Sequence, residues 1–333
     1  MSDTGNVTVE DELTDVVVIG GGPIGMFTAF YSAMRNLDVQ LIDSLPQLGG
    51  QVAALYPEKP IHDIAGFVSG TGAELIANLQ RQIDSFGDRI GVHVNEEVQG
   101  LERLDDGTFV LTTKQRSVHT RSVIVAIGSG AFAPRPLAID YDRDGLDGSK
   151  VFYFVKRLAD FAGKNVVVAG GGDAAIDWAL ELEKIAGHVT LVHRRDNFRA
   201  LESSVAQLRE SSVEILTPYK FVDVVNEDAG LRIDLAQVKG DAQPSLHVDA
   251  LLVNYGFTSD NHLLRDWGLP VKRGDLQVNE YLETEVPGIY GVGDAVNYPG
   301  KVKLISAGFG EVPRAVNHLS EELYPDRKQP LHS

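Results

Sequence analysis

The sequence contains no cysteine in its 333 residues. Disulfide bonds, thiolate zinc sites, cysteine-ligated iron–sulfur clusters and dithiol redox shuttles all require cysteine sulfur, so all four are excluded. Long apolar runs are also missing, and none approaches the ~20 residues of a membrane-spanning helix. The N-terminal segment MSDTGNVTVEDELTD is acidic and has neither the basic nor the apolar region of a secretion signal. We therefore expect a cytoplasmic protein that does not contact a membrane.

Basic residues are scarce relative to acidic ones. The chain carries 30 Lys and Arg against 47 Asp and Glu, which gives a net charge of −17 at pH 7. Binding to a nucleic-acid backbone requires a basic surface, so we expect no nucleic-acid partner. No metal site is predicted either.

The composition is that of a folded globular protein. Hydrophobic residues make up 43% of the chain and charged residues 23%, which excludes disorder as the main state. The length fits about two domains of ~150 residues each. The 34 glycines follow no Gly-X-Y period, so they are expected to serve turns and close approaches of the backbone.

One segment of the chain recurs farther along the sequence. Residues 16–22 (VVVIGGG) return as residues 166–172 (VVVAGGG), and residues 39–43 (VQLID) return as residues 189–193 (VTLVH). Each copy predicts a strand, a glycine turn, a helix and a second strand, with the helices over 24–36 and 174–185. The sequence therefore predicts two βαβ units.

The glycine turns match the fingerprint of dinucleotide-binding folds. In the first copy Gly20 makes the tight turn, Gly22 lets the backbone approach a pyrophosphate, and Gly25 lets the helix sit close to the strand. In the second copy Gly170 and Gly172 take the same roles, with Ala in the third place. A single such motif is weak, because glycines after a strand also make plain turns. Two complete copies favour two dinucleotide sites.

The residues that follow the second strands distinguish the two sites. Asp43 can accept hydrogen bonds from a ribose diol, which fits FAD or NAD. The second copy instead has His193, Arg194 and Arg195, with Arg199 one turn later, and guanidinium groups pair with a 2′-phosphate. A solvated basic face is the alternative interpretation. We expect NADPH at the second site and FAD at the first. A bound flavin that accepts a hydride from NADPH gives both sites a use, whereas two soluble nicotinamides on one chain have no obvious purpose.

Several motifs resemble a known flavoprotein superfamily. Residues 170–175 (GGGDAA), 193–200 (HRRDNFRA), 288–295 (GIYGVGDA) and 123–128 (VIVAIG) resemble thioredoxin reductase. That enzyme itself is excluded, since its redox cysteines are missing. The stretch from Asp43 to Lys59, together with NYGF at 254–257, GFGE at 308–311 and the terminal PLHS, resembles the ferredoxin–NADP reductases of thioredoxin-reductase-like fold.

The resemblance implies specific contacts with the cofactors. It implies that Tyr56 and His332 stack on the two faces of the flavin ring, and that Asp294 bonds the ribityl chain. No residue forms a covalent intermediate. Further FAD contacts are predicted at Gly20, Gly22, Pro23, Gly25, Asp43, Gly50, Gln51, Val98, Phe132 and Ser333. NADPH contacts are predicted at Gly170, Gly172, Asp173, Ala174, His193, Arg194, Arg195 and Arg199.

The fold that these motifs predict is α/β, with two Rossmann-like, three-layer ββα dinucleotide-binding domains of the thioredoxin-reductase type. The FAD domain is discontinuous, over 1–130 and 257–333, and the NADPH domain is inserted over 131–256. The resemblance also implies a homodimer. Many relatives continue past the His-Ser pair, so the terminal carboxylate of this chain is expected beside the flavin.

The predicted reaction moves electrons between NADPH and ferredoxin or flavodoxin. NADPH gives a hydride to flavin N5, and electrons then leave one at a time. Lys59, Lys301, Lys303 and Arg314 are candidates for a local basic patch that docks the acidic partner. The ionisable His62, Asp63 and His318 are more often structural than proton carriers.

Other functions share these motifs. A general NADPH-dependent flavin reductase of quinones or other small acceptors differs only in its acceptor. A non-catalytic redox sensor that binds FAD and NADPH is a second alternative. A flavin monooxygenase is a weaker one, because little chain remains to build a substrate cavity.

Overall fold

The computed structural model describes residues 8–67 and 70–327 of the chain. The chain divides into two compact units. The first comprises residues 1–131 and 259–333, and the second comprises residues 132–258. The second unit is thus inserted into the first.

The first segment begins with a βαβ unit and ends with an antiparallel meander. Its strands are β1 (Thr8–Ile19), β2 (Val39–Ile42), β3 (Pro60–Ile61), β4 (Gly70–Thr71), β5 (Ile90–His93), β6 (Gly100–Arg103), β7 (Phe109–Thr112) and β8 (Arg116–Val125). Its helices are α1 (Pro23–Met34), α2 (Gly50–Leu55) and α3 (Gly72–Asp84).

The inserted segment repeats this plan. Its strands are β9 (Ala131–Pro134), β10 (Val151–Phe152), β11 (Asn165–Ala169), β12 (His188–Val192), β13 (Glu214–Leu216), β14 (Tyr219–Glu227), β15 (Gly230–Gln237), β16 (Ser245–Val248) and β17 (Ala250–Val253). Its helices are α4 (Arg143–Leu146), α5 (Asp173–Glu183) and α6 (Glu202–Glu210).

The last segment returns to the first unit. Its strands are β18 (Phe257–Asp260), β19 (Val271–Lys272), β20 (Asp275–Gln277), β21 (Ile289–Gly291) and β22 (Val296–Asn297). Its helices are α7 (His262–Asp266) and α8 (Ile305–Leu323), with a 3₁₀ turn at Gly293–Ala295. The connecting strands β9 and β18 pair with each other as a two-stranded sheet.

The main sheet of the first unit combines a parallel and an antiparallel part. Its strand order is β5-β2-β1-β8-β7-β6, and β21 also pairs with β8. Strands β5, β2, β1, β8 and β21 run parallel, whereas β8, β7 and β6 form an antiparallel meander. Strand β8 belongs to both parts. One edge of its ten residues pairs with β1 along nearly its whole length, and the other edge pairs with β7 in its first half and with β21 at its end. This arrangement confirms the predicted fold class.

The core of this unit explains its apolar strands. Val16, Val17 and Val18 are consecutive and have no exposed surface, as expected of a parallel strand that is covered on both faces. Helix α1 packs against α3 and α8. It starts at Pro23, a residue that suits the first position of a helix because its missing N–H would have no partner there. The helix ends at Met34, two residues before its predicted end at Asn36. Asn36 has a φ of 59° and so cannot continue a right-handed helix.

The second unit has its own parallel sheet, in the order β10-β17-β11-β12-β13. Strands β14, β15 and β16 form a separate antiparallel sheet. The two βαβ units share one register. In the first, Val16 is paired with Val39, and in the second Val166 is paired with Val189. The repeat in the sequence is therefore also a repeat in strand pairing.

A membrane span is not found among the residues that the structure describes, since none of their helices is both long and apolar enough to cross a bilayer.

Candidate functional site

The first glycine turn is built by close backbone contact. Gly20 has a φ of 105°, and a Cβ atom on Gly25 would overlap the carbonyl oxygen of Gly20. Only glycine therefore fits at position 25, and its absence of a side chain brings the first turn of α1 against the end of β1. The first turn of a helix presents free N–H groups and the positive end of its dipole, which suit a phosphate.

Asp43 lies beside this turn because β1 and β2 are in register. Gly20 N donates to Ile42 O at 2.8 Å, which places the residue after β2 next to the turn. The Asp43 carboxylate accepts hydrogen bonds from Gly21 N and from Leu45 N, the latter at 2.7 Å. Burial nevertheless raises the pKa of Asp43 above its ordinary value. Contact between Asp43 and a ribose stays a prediction. The Asp43 carboxylate also holds the local backbone through its two hydrogen bonds.

A second glycine pair borders the first. Gly49 N donates to Gly21 O at 2.7 Å, and a Cβ on Gly50 would lie 2.9 Å from Gly22 Cα. A Cβ on Gly22, in contrast, would approach Gly50 Cα no closer than 4.0 Å. The backbone here is open on the side where a side chain would normally stand. That cradle fits a pyrophosphate, and the predicted Gln51 follows in the first turn of α2.

Tyr56 and Asp294 lie close enough to influence each other. Burial, followed by the negative charges of Asp294 and Asp63, raises the pKa of Tyr56 to about 12. The phenol is therefore protonated at neutral pH. Burial also raises the pKa of Asp294, and among the described residues its carboxylate has no hydrogen-bond partner. A partly buried carboxylate without a protein partner fits a polyol ligand that would donate to it.

Asp63 has a structural role. Its Oδ2 accepts from Ile305 N at 2.7 Å and so caps helix α8, whose own N-cap residue, Leu304, makes no side-chain cap. His318 is likewise engaged, because its Nδ1 lies 2.8 Å from the Tyr290 hydroxyl and its ring stacks on Tyr281.

The sequence analysis missed a buried polar cluster beside Asp294. Glu311 is 1% exposed, and its carboxylate accepts from Gly293 N, from the Tyr298 hydroxyl and from Lys301 Nζ. A signal was available, because Glu311 occupies the apolar stripe of α8 together with Val312 and Ala315. A charged residue on such a stripe is a buried charge that needs a partner.

The docking patch predicted from Lys59, Lys301, Lys303 and Arg314 needs correction at Lys301. Lys301 is 3% exposed and pairs with Glu311, so it cannot meet a protein partner. Lys303 Nζ lies 3.2 Å from Asp275 Oδ1, and Arg314 donates to the Glu280 carbonyl. Lys303 and Arg314 stay exposed despite these contacts, so the correction concerns Lys301 alone.

The other predicted FAD contacts are either buried in the core or lie outside the described residues. Val98 is 4% exposed and part of the hydrophobic core, so only its backbone is available for contact. The side chain of Phe132 and the whole of His332 and Ser333 lie outside the part of the chain that the structure describes. An apolar cleft of about 910 Å³ between α1, α3 and α8 is lined by none of the described FAD positions.

The second glycine turn is tied to the basic loop that follows β12. Arg199 N donates to Gly171 O at 2.7 Å, and Leu201 N donates to Asp173 Oδ1 at 2.9 Å. Asp173, predicted as a cofactor contact, therefore uses one carboxylate oxygen to hold the loop. A Cβ on Gly170 would lie 2.6 Å from the Ala175 Cβ. The second turn therefore accommodates Ala175 in the third place of the motif only because Gly170, in the first place, has no side chain.

The basic loop presents unpaired positive charge. Arg194, Arg195 and Arg199 are exposed, and none of them makes a side-chain hydrogen bond or ion pair with another described residue. The His193 ring lies against Gly171 and stacks on Phe198, and its Nε2 is buried without a partner among the described residues. Burial lowers the pKa of His193, and the three arginines lower it further. The ring is therefore neutral beside a cluster that fits a phosphate dianion.

Among the described residues, no group of three His, Cys, Asp or Glu side chains is placed to hold a metal ion.

Comparisons with known proteins agree with this architecture. The family described as pyridine nucleotide-disulphide oxidoreductase matches residues 14–318. The chain is 51% identical to "Ferredoxin--NADP reductase 2" of Latilactobacillus sakei, over 97% of this chain and 98% of that protein. It is 48% identical to "Ferredoxin--NADP reductase" of Enterococcus faecalis, over 97% of this chain and 96% of that protein.

Solved structures show the same fold at lower identity. Thioredoxin reductase from Lactococcus lactis has a TM-score of 0.79 at 24% identity and covers 94% of this chain and 99% of its own. Thioredoxin reductase from T. acidophilum has a TM-score of 0.80 at 21% identity, over 93% and 98% of the two chains. At these identities the likeness concerns the fold alone.

Proposed function

The chain belongs to the pyridine nucleotide-disulphide oxidoreductase family, and from that premise we propose that it is a ferredoxin–NADP reductase that uses FAD and NADPH. One observation carries the proposal. The two βαβ units have the same strand register, but the residues after their second strands carry opposite charges. These are Asp43 in one unit and the arginines of residues 194–199 in the other. Because the chain has no cysteine, it cannot carry out disulphide chemistry on its own sulfur, and its electrons must leave by another route.

The first unit is the proposed FAD domain. The pyrophosphate would lie in the cradle of Gly22 and Gly50, at the start of α1, and Asp43 would accept from the adenosine ribose. Asp294 would accept from the ribityl hydroxyls. The open backbone at Gly22 and the Asp294 carboxylate, which has no partner among the described residues, both support this assignment.

The second unit is the proposed NADPH domain. Gly170 and Gly172, at the start of α5, would hold the pyrophosphate. Arg194, Arg195 and Arg199 would surround the 2′-phosphate through charge-assisted hydrogen bonds. The neutral His193 adds no charge there.

Bound FAD would supply the redox chemistry, which is acceptance of a hydride from NADPH and release of single electrons. The chain supplies position and shielding for this chemistry. Tyr56 would cover one face of the ring, and its phenol remains a proton donor because its pKa of about 12 keeps it protonated. His332 would cover the other face. Covered faces exclude water and oxygen, which limits side reactions.

The proposed electron partner is ferredoxin or flavodoxin. The relatives named ferredoxin--NADP reductase support the first of these. A quinone or another small acceptor is the second candidate, and the burial of Lys301 favours it, because that charge is not presented to a protein. The resemblance to the family supports a cytoplasmic homodimer.

The test is anaerobic reduction by NADPH, with and without ferredoxin. Rapid bleaching of the flavin colour followed by ferredoxin-dependent reduction of cytochrome c is the expected result. Slow bleaching would favour a redox sensor. Rapid bleaching with no effect of ferredoxin or flavodoxin would move the acceptor to a small molecule, and a protein purified without flavin would contradict the proposal as a whole.

A further inference from the structure

A buried ion pair lies beside the position proposed to bind the ribityl chain. Lys301 Nζ contacts Glu311 Oε1, and the two side chains are only 3% and 2% exposed. Removing two charges from water is costly, and the cost is offset only when both are well paired and hydrogen-bonded. A pair of this kind contributes little net stability, so its presence calls for a role other than stabilising the fold.

The pair is connected to the turn that carries Asp294. Glu311 Oε2 accepts from Gly293 N at 2.7 Å, and Glu311 Oε1 accepts from the Tyr298 hydroxyl at 2.6 Å. Gly293 is the residue directly before Asp294, in the 3₁₀ turn Gly293–Ala295. One carboxylate of α8 thus holds this turn and the loop that follows it.

Packing restricts the turn from the opposite side. Gly293 has a φ of 71°, and a Cβ there would lie 3.3 Å from Ile24 Cγ1. A Cβ on Gly308, in the first turns of α8, would lie 2.7 Å from Ile24 Cδ1. The starts of α1 and α8 and the 3₁₀ turn therefore converge on one side chain. A change at Glu311 would be transmitted to Asp294, because the turn has no space in which to adjust.

The two charges act on Asp294 with opposite signs. Burial is the main reason why the pKa of Asp294 is raised. Lys303 and Lys301 act to lower this pKa, whereas Glu311 and Asp275 act to raise it. With the pair intact, the contributions of Lys301 and Glu311 oppose each other. With one partner removed, the other would leave an uncompensated buried charge.

We propose that Glu311 and Lys301 are positioning residues for Asp294, and that this pair sets both the affinity for FAD and the reduction potential of the bound flavin. The inference rests on the proposed function, since it takes Asp294 as the ribityl contact. The pair holds the backbone on which Asp294 stands and keeps the charge beside the cofactor balanced.

The experiment measures the reduction potential of the flavin in purified holoenzyme variants. Glu311→Gln keeps an acceptor for Gly293 N but leaves the Lys301 charge uncompensated, and a positive charge stabilises the more negative, reduced flavin. Its potential should therefore rise. Lys301→Met leaves a negative charge, and its potential should fall. The double variant should return towards the wild type. Glu321→Gln, an exposed site on the same helix, is the matched control and should leave the potential unchanged.

The affinity for FAD gives a second, independent readout. Both single variants should weaken FAD binding by roughly 2- to 100-fold, the range of coupling energies between neighbouring residues, and the double variant should recover part of that loss. If a single variant loses FAD altogether, recovery of FAD in the double variant supports the proposal.

Three results would overturn it. These are single-variant potentials that shift in the same direction, potentials that do not shift although FAD remains bound, and losses of FAD that the double variant does not restore. Failure of the proposed function would be visible in the wild-type protein. A missing flavin would overturn both the proposed function and the role of the Glu311–Lys301 pair. A missing ferredoxin effect would overturn only the proposed electron partner and would leave the role of the pair intact.

Discussion

At the scale of single residues, Asp294 shows the conflict that is typical of a binding group. Its raised pKa means that the folded apoprotein holds the Asp294 proton more tightly than the unfolded chain does. Ionised Asp294 therefore costs stability, and this cost grows as the pH rises from the ordinary value of 3.8 through the raised pKa. A residue that opposes folding in the absence of ligand is expected where a ligand supplies the missing partners.

The substitution Asp294→Asn should separate stability from binding. The apoprotein variant should unfold at higher urea concentration than the wild type at pH 7, and this difference should vanish towards pH 3, where both side chains are neutral. FAD binding should weaken by roughly 10- to 100-fold, because a hydrogen bond to a charged group contributes about 1.5–3 kcal/mol. Urea titrations across pH and fluorescence titration with FAD measure the two effects. Asp266→Asn, at an exposed site, is the control, and unchanged FAD affinity in Asp294→Asn would contradict the ribityl assignment.

Arg194 and Arg195 determine the choice of nucleotide in the proposed NADPH site. Replacing both with Ala removes charge-assisted hydrogen bonds of about 1.5–3 kcal/mol each, so kcat/KM with NADPH should fall by at least roughly 10- to 100-fold. The loss should appear in KM rather than kcat, and activity with NADH should change little. Arg209→Ala, an exposed arginine at the end of α6, provides the comparison. Equal losses with both nucleotides would mean that the loop does not read the 2′-phosphate.

At the scale of elements, the distance between α1 and β1 depends on a glycine, whose hydrogen atom stands where any other residue has a Cβ. Gly25→Ala would place a Cβ on the Gly20 carbonyl oxygen, which α1 can avoid only by moving off β1, at a cost of about 1–3 kcal/mol or more. FAD content should fall with it. Gly310→Ala, in α8, meets nothing within 4 Å and should stabilise the protein by about 0.5–1 kcal/mol. Urea unfolding and flavin absorbance of the two purified variants test the contrast, and a Gly25→Ala variant that keeps both its FAD and its stability would refute it.

The elements themselves could be predicted because their signals are local and repeated. The pairing of Val16 with Val39 and of Val166 with Val189 follows from two short motifs at a constant offset. Strand β8, which belongs to both a parallel sheet and a meander, was harder to anticipate, because only its last three residues form an apolar run and residues 116–122 (RSVHTRS) are mostly polar.

The side chains around Asp294 could not be predicted in the same way. The sequence shows a lysine at 301 and a glutamate at 311, both of which are ordinarily exposed. Their burial depends on how α8 and the preceding loop pack on the 3₁₀ turn, which is a tertiary property. The same limit explains the error over docking charges, since a count of lysines does not show which of them already have an acceptor.

At the scale of the whole molecule, the net charge of −17 already includes the basic residues proposed for docking. Lys301 is buried with Glu311, and Lys303 lies 3.2 Å from Asp275. A protein partner approaching this enzyme therefore experiences the field of the acidic surface. For an acidic ferredoxin that field is repulsive, and it extends farther as the salt concentration falls.

The rate of ferredoxin reduction should consequently rise with ionic strength. The screening length shortens from about 30 Å at 0.01 M salt to about 8 Å at 0.15 M, so kcat/KM for ferredoxin should increase severalfold over this range. A basic acceptor such as cytochrome c, reduced directly, should show the opposite trend, and the rate of flavin bleaching by NADPH serves as the control for effects on the first half-reaction. Stopped-flow measurements at several salt concentrations give all three. A ferredoxin rate that falls steadily with salt would show instead that a local basic surface, formed by residues other than Lys301 and Lys303, outweighs the net charge.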